Sequence, residues 1–493
     1  MADSTAVRYG TAPARWVLFA TIAGSAIVTL DGTVVNVALP AIGRDFHAGV
    51  AGLQWVLTSY GITLSALILL GGSLGDLYGR RRVFLVGVAW FGAASLLCAV
   101  APDLNVLIAA RALQGAGGAL LVPGSLAIIE ATFRSEDRGR AIGTWSALGG
   151  VAAAVGPLVG GWLVTAVTWR LIFVLNLPLA VAVFYASRHV PESKDPTSAR
   201  HLDLTGAVLA VVGLASTTYA LIEGPAPGSD RGLVVLTGVL GVAALVAFLA
   251  VERRVETPML ELDLFRSRQF TVSNVLTFLV YGALGAVLFL LVVNLEVVLG
   301  YSALAAGASL LPLTLVMLLF SSRAGALASR IGPRLPMSLG PAIMAGGLFL
   351  MVRIGVTSSY LADVLPAVLV FSAGLALTVA PLTTTVMGAV DDRHSGAASG
   401  VNNAVARVAG LLAVAVIPPA VGLTGIAFHQ PARFSAGFHR AAVLGGFLCL
   451  AGALIALVGL VNPKPAKVPA PAGQPLSCPL DAPGLRPART GSA

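Results

Sequence analysis

Leu30-Asp31-Gly32-Thr33-Val34-Val35-Asn36-Val37-Ala38-Leu39-Pro40 places a carboxylate inside an apolar run that begins at Trp16. An aspartate at the centre of a membrane helix costs about 2.5 to 3.5 kcal/mol even on the mildest scales, so such residues persist where they bind, carry protons or pair with a neighbour. Asp31 is therefore the first candidate for function. The competing reading is that it caps or braces an adjacent helix.

The rest of the chain makes the membrane setting unavoidable. Of its 493 residues, 57% are hydrophobic and only 11% charged, and the mean hydropathy is +0.89. A water-soluble core of ordinary proportions cannot hide that much apolar surface. The apolar residues fall in runs of the length that a bilayer-spanning helix needs. Short alternating segments, the mark of a membrane β-barrel, are missing. The net charge of +9 is spread over many loops rather than massed on one face, which argues for topology and against nucleic acid as a partner. Cys98, Cys449 and Cys478 form neither a disulfide framework nor a metal-ligand spacing. The first run is too long for a signal-peptide core and is expected to stay as a helix.

Fourteen runs stand between charged breaks, at 16–39, 51–72, 83–101, 105–129, 141–166, 170–187, 205–222, 232–251, 270–295, 303–322, 335–354, 362–388, 397–423 and 438–461. An even number puts both termini on one side. Most of the 31 Lys and Arg then lie on that side, while Arg44, Arg170, Arg231, Arg353, Arg433 and Arg440 lie on the other. The excess of basic residues marks the termini as cytoplasmic, in a multi-pass protein of the plasma membrane.

The chain also repeats itself. Gly72-Ser73-Leu74-Gly75-Asp76-Leu77-Tyr78-Gly79-Arg80-Arg81, after the second run, recurs as Gly325-Ala326-Leu327-Ala328-Ser329-Arg330-Ile331-Gly332-Pro333-Arg334 after the tenth. Ala116 to Leu120 with Pro123 has a looser echo in Ala373 to Leu377 with Pro381. The repeat maps six runs onto six and leaves the seventh and eighth as an insertion. The expected organisation is a cytoplasmic N-terminus at 1–15, a six-helix bundle at 16–187, a linker at 188–204, two inserted helices at 205–251, a linker at 252–269, a second bundle at 270–461, and a Pro-rich disordered tail at 462–493. Asp391-Asp392-Arg393-His394 reads as a cytoplasmic loop. Two repeated halves with a substrate path between them is a transporter plan.

At Gly72 to Arg82 the pattern becomes specific. The loop resembles the signature between helices two and three of the major facilitator superfamily, with Leu77 where a basic residue is frequent. Leu30 to Pro40, through Asp31, Thr33, Asn36, Ala38, Leu39 and Pro40, resembles the helix-one signature of that superfamily's fourteen-helix drug:proton antiporters. Arg111-Ala112-Leu113-Gln114-Gly115-Ala116-Gly117 resembles the helix-four signature. Ala152-Ala153-Ala154-Val155-Gly156-Pro157-Leu158-Val159-Gly160-Gly161 resembles the antiporter motif of helix five, with Ala152 for its first glycine, and Trp169, Arg170, Phe173, Asn176 and Pro178 resemble the start of helix six. The resemblance implies an all-α membrane protein of major facilitator fold, two six-helix bundles plus two extra helices, fourteen in all. It also implies a cytoplasmic gate at Gly72, Asp76, Gly79, Arg80 and Arg81, and a proton role for Arg111. The loop arginines and glycines could also serve topology and turn alone.

Physical chemistry runs beside the resemblance. Counted from the run ends at 1.5 Å per residue, Asp31 and Arg111 both lie roughly 9 to 12 Å below the outer surface. At matched depth they can act as a pair, since a nearby arginine and burial push a carboxyl group in opposite senses and water access tips the balance. Arg111 could equally be a structural partner of Asp31 or of backbone carbonyls. In the fifth run, Gly156, Gly160 and Gly161 allow close helix approach and Pro157 removes a backbone donor; the face either gates the two halves or simply packs. Asn36, Gln54, Trp55, Tyr60, Gln114, Tyr281, Asn294, Glu296, Asn402 and Arg407 are candidate cavity-lining residues, since an amphipathic cargo needs an apolar cavity with a few polar contacts. Helices that are apolar all round do not reveal which face each residue takes.

No HExxH or GxxxxGK[ST] pattern occurs. The expected activity is therefore not enzymatic. It is proton-driven export of small, amphipathic organic compounds by a monomer in the lipid bilayer, with a small-molecule substrate and protons as its only ligands and no cofactor or metal. The alternatives are a proton-coupled importer of a specific metabolite and a non-transporting membrane receptor.

Overall fold

The computed structural model describes residues 7–194, 202–226, 228–255, 258–390, 395–425 and 430–462. The Pro-rich tail from 463 and the Asp391 to His394 loop lie outside them. Among the described residues the chain is all helix, apart from an isolated bridge between Val7 and Phe133.

The first half holds α1 (Ala12–Asp45), α2 (Val50–Tyr78), α3 (Arg80–Ala99), α4 (Leu104–Thr132), α5 (Ser135–Ala166), α6 (Leu171–Val174) and α7 (Asn176–Ser187). A hairpin follows, α8 (Leu204–Glu223) and α9 (Arg231–Glu252). The second half holds α10 (Arg268–Val297), α11 (Ala303–Ala308), α12 (Leu311–Ile331), α13 (Arg334–Met351), α14 (Leu365–Gly388), α15 (Ser395–Ala420) and α16 (Pro431–Gly459). Among the described residues thirteen helical spans are long and apolar enough to cross a membrane, and Leu171–Ser187 is a shorter apolar one.

Two of the expected runs are not single helices, and proline explains both. Pro178 has no N–H to give the Val174 carbonyl, and α6 stops at Val174; Pro312 has none for Ala308, where α11 stops. Several helices also outrun their apolar stretches. α1 continues through Pro40 to Asp45, and α12 continues to Ile331. At 1.5 Å per residue these helices exceed the roughly 30 Å hydrocarbon core, so their ends stand in water where polar side chains cost nothing. Hydropathy reads only the part inside the lipid.

Packing repeats as the sequence does. In the first half α4 lies against α2 and α3, and α1 against α5 and α7; in the second, α14 lies against α12 and α13, and α10 against α15 and α16. The halves meet where α2 touches α15 and where α5 touches α11 and α12. The α8–α9 hairpin is seated on α2 and α15, beside this seam. Glycine permits the tightest approach: a Cβ at Gly71 of α2 would collide with the Ala119 carbonyl of α4.

Candidate functional site

Asp31 and Arg111 are buried to 2% and 1% exposure. Arg111 Nη1 lies 2.5 Å from Asp31 Oδ2. The other carboxylate oxygen, Oδ1, accepts from Gln114 Nε2 at 2.8 Å and from Asn176 Nδ2 at 3.1 Å. Both amides also donate to Ser95 Oγ, at 2.8 and 3.2 Å. Arg111 donates besides to Gln114 Oε1 at 2.6 Å and through Nε to the Val56 carbonyl at 3.2 Å, and its guanidinium lies 4.2 Å from the centre of the Tyr60 ring.

Helix geometry assembles this network. Arg111 and Gln114 are three residues apart and so share a face of α4. The break after Val174 places Asn176 at the start of α7, where its side chain reaches α1 and α3. Five helices thus join one network around this carboxylate, two of them bonding it directly. Every side-chain group bonded to Asp31 is a donor, so a proton arriving there must displace one of them. The pair is buried, and removing one member of such a pair typically costs about 3 to 5 kcal/mol.

Beside it, across Tyr60, lies a cavity of about 290 Å³ between the halves. Four of the ten expected lining residues border it: Asn36 of α1, Tyr60 of α2, Tyr281 of α10 and Arg407 of α15. The other six stand elsewhere. Gln114 belongs to the Asp31 network. Gln54 clasps the seam, donating from α2 to the Val414 carbonyl of α15 at 2.6 Å. Trp55 donates to Glu223 of α8 at 2.8 Å and so ties the inserted hairpin to α2. Asn402 donates to Asn274 and Thr277, at 3.1 and 2.7 Å, and joins α15 to α10. Asn294 is fully buried in α10 with neither amide atom bonded, and Glu296 is half-buried near the end of the same helix.

The α5 glycines divide along the helix. A Cβ at Gly156 or Gly160 would meet Thr33 or Val34 of α1, and one at Gly161 would meet the Ala303 carbonyl of α11 at 2.6 Å. Gly139, Gly143, Gly149 and Gly150, nearer the terminus side, have open space where a Cβ would stand. The motif glycines therefore pack on α1 and also close the seam on the side away from the termini.

At the other end, Arg80 Nε and Nη2 each lie 2.8 Å from Asp76 Oδ1, and Arg80 Nη1 donates to the Ala127 carbonyl of α4. Gly79 has φ +112°, a conformation L side chains rarely adopt. Gly72 faces Pro123 at ordinary contact distance. Glu192, read from the sequence only as linker, caps this loop by accepting from the Arg81 backbone N–H at 3.1 Å, while the Ser193 carbonyl accepts from the Arg80 N–H at 2.9 Å. The second half does the same. Asn462, past α16, accepts from the Arg334 N–H beside Gly332, whose φ is +85°.

Ser95 and Glu192 carried no signal in the sequence, being ordinary residues in an apolar run and in a polar linker. Asn176 stood out only as one residue of the helix-six resemblance, with no role attached to it.

Comparison with known proteins agrees with this architecture. Residues 21–414 match the Major Facilitator Superfamily. The multidrug resistance protein Stp of Mycobacterium tuberculosis is 36% identical over 404 residues, which is 81% of this chain and 74% of that protein. The puromycin resistance protein pur8 of Streptomyces alboniger is 38% identical over 413 residues, 83% of this chain and 82% of the relative. The methylenomycin A resistance protein of Bacillus subtilis is 32% identical over 434 residues, with 87% and 91% covered. Among solved structures, a bacterial homologue of the human lysosomal transporter Spinster, inward-facing and occupied, superposes with a TM-score of 0.64 at 15% identity over 93% of this chain and all of that one. In sequence, helix arrangement and internal repeat alike, the chain belongs to the Major Facilitator Superfamily.

Proposed function

We propose that this transporter exports small, amphipathic organic compounds in exchange for protons, with no cofactor and no energy source other than the proton gradient. The observation that carries the reading is the buried Asp31–Arg111 pair set one aromatic ring away from a cavity between the halves. The resistance relatives point to the same class of cargo. Basic residues concentrated on the terminus side support cytoplasmic termini in the plasma membrane of a bacterial cell. A single chain supplies both halves of the cavity, which supports a monomer.

In this reading the units at 16–187 and 270–461 rock against each other. The seam is closed away from the termini by Gly161 against Ala303 and by Gln54 against Val414, and cargo enters from the cytoplasmic side. In the opposite state a proton from outside reaches Asp31. A protonated Asp31 no longer holds Arg111, Gln114 and Asn176 together, so α1, α4 and α7 lose their shared tether and the halves can reset. The Asp76–Arg80 brace and its Glu192 cap keep the cytoplasmic ends of α2 to α4 rigid during that motion.

Everted vesicles with an imposed pH gradient and labelled fluorescein, an amphipathic dye that bears a carboxylate, as cargo test this. Wild-type protein should concentrate the dye and discharge the gradient as it does so. Asp31→Asn should lose gradient-driven uptake while still exchanging labelled for unlabelled dye. Undiminished gradient-driven uptake by that variant would end the coupling role of Asp31.

A further inference from the structure

The cavity has a chemical bias that the export reading does not explain. Among the described residues Arg407 is the single charged one lining it, and none of them puts a carboxylate on its wall. Its Nε is buried without a protein partner, as are Thr58 Oγ1 and Ser65 Oγ, which line the same space.

Hydroxyls in helices ordinarily turn back to bond a carbonyl one turn earlier. Thr21, Thr29 and Thr63 of this chain do so. Thr58 and Ser65 do not. The acid nearest in function, Asp31, is already held by Arg111, Gln114 and Asn176.

A guanidinium cannot shed its charge at accessible pH; Arg407 is part-buried, and leaving its buried Nε without an acceptor is costly. A guanidinium and two free hydroxyls, surrounded by leucine and tyrosine, form a donor set that lacks an acceptor. Carboxylates and other oxyanions complete such a set with short, charge-assisted bonds. We propose that the cargo is anionic, an aromatic or aliphatic body bearing a carboxylate or equivalent oxyanion that binds Arg407 with Thr58 and Ser65, its apolar part lying against Tyr60 and Tyr281.

The proposal rests on the export reading for its physiological direction and has a consequence for coupling. A proton on Asp31 and an anion on Arg407 attract rather than expel each other. Exchange must then arise because the two ligands favour opposite-facing states, not from competition of charges at one place. Outward movement of an anion and inward movement of a proton carry charge in the same sense, so transport is electrogenic.

Binding is measured apart from transport, by titrating detergent-purified full-length protein with 1-naphthoate and with 1-naphthylmethylammonium, ions of like shape and opposite charge. Naphthoate should bind at least tenfold more tightly than the ammonium. Arg407→Gln should weaken naphthoate about tenfold or more, the range expected for a lost charge-assisted bond, and remove the preference between the two ions. Arg407→Lys should keep the preference. Thr58→Val and Ser65→Ala, which preserve shape and folding, should each weaken naphthoate a few-fold and leave the ammonium unchanged.

Equal or tighter binding of the ammonium by wild-type protein, no binding of naphthoate, or naphthoate affinity indifferent to Arg407→Gln and to both hydroxyl variants would overturn the proposal. Vesicles that fail to couple protons while naphthoate still binds selectively would overturn the export reading and leave the anion site standing.

Discussion

The Asp31–Arg111 pair lends itself to a cycle in which sign matters more than size. Asp31→Asn deletes the anion. The new amide has one oxygen, so it can serve Arg111 Nη1 or the Gln114 and Asn176 donors that now occupy Oδ1, but not all three. If its oxygen stays on Arg111, its NH₂ faces two other NH₂ groups, and turning Gln114 to relieve this removes the oxygen that also serves Arg111. The variant therefore carries a buried cation with deficient neutralisation, worth about 3 to 5 kcal/mol by comparison with broken buried pairs. Arg111→Gln leaves the opposite fault, a buried carboxylate without its counter-ion. The double variant has neither charge, and neutral replacements of buried pairs are often close to neutral in stability. The coupling between the two sites should thus be favourable by about 3 kcal/mol, well above the limit of a few tenths expected for independent sites. Thermal unfolding in detergent, followed by tryptophan fluorescence, reads the order: each single variant below wild type by several degrees, the double variant above both singles. A double variant as unstable as the two single losses added together would show that the residues do not act as a pair. Gradient-driven uptake should be absent from all three, since none retains an acid that can trade a proton for an arginine.

Helix five supplies an internal control. Gly156→Ala sets a methyl into Thr33 of α1 and should cost about 1 to 3 kcal/mol as overpacking, whereas Gly149→Ala has free space and should be silent or slightly stabilising; equal thermal midpoints for the two would refute the packing argument. Gln54→Leu removes the bond from α2 to the Val414 carbonyl, worth about 1 kcal/mol. That should shift the equilibrium roughly fivefold toward the state open away from the termini. A cysteine placed at Val414 should then react faster with an impermeant thiol reagent, and an unchanged rate would show that Gln54 does not hold the seam.

Local chemistry explains how much could be read in advance. A buried Asp and a buried Arg are each so costly that their presence at equal depth already implies a pair, and the repeat of Gly72 to Arg81 implies two related halves. Facing could not be read in the same way. Gln114 and Gln54 look alike in sequence, yet one ligates Asp31 and the other bonds the backbone of the opposite half, because rotation about the helix axis decides between them. Asn294 and Glu296 lie outside the cavity for the same reason. Glu192 and Asn462 were hidden because a residue past a helix end that caps a distant loop leaves no periodic trace.

By itself the sequence determined that this chain spans a membrane, roughly where its helices lie, that it is built twice over, and that Asp31 and Arg111 are costly charges at matched depth. Hydropathy and desolvation are properties of residues and their near neighbours, so they survive without a fold. Only the tertiary structure decided that Asp31 is held by three side-chain donors from two other helices, that the buried Arg407 Nε has no acceptor, and that Tyr60 lies against Arg111 on one side and lines the Arg407 cavity on the other. Those are relations between helices, and nothing along a single helix encodes them.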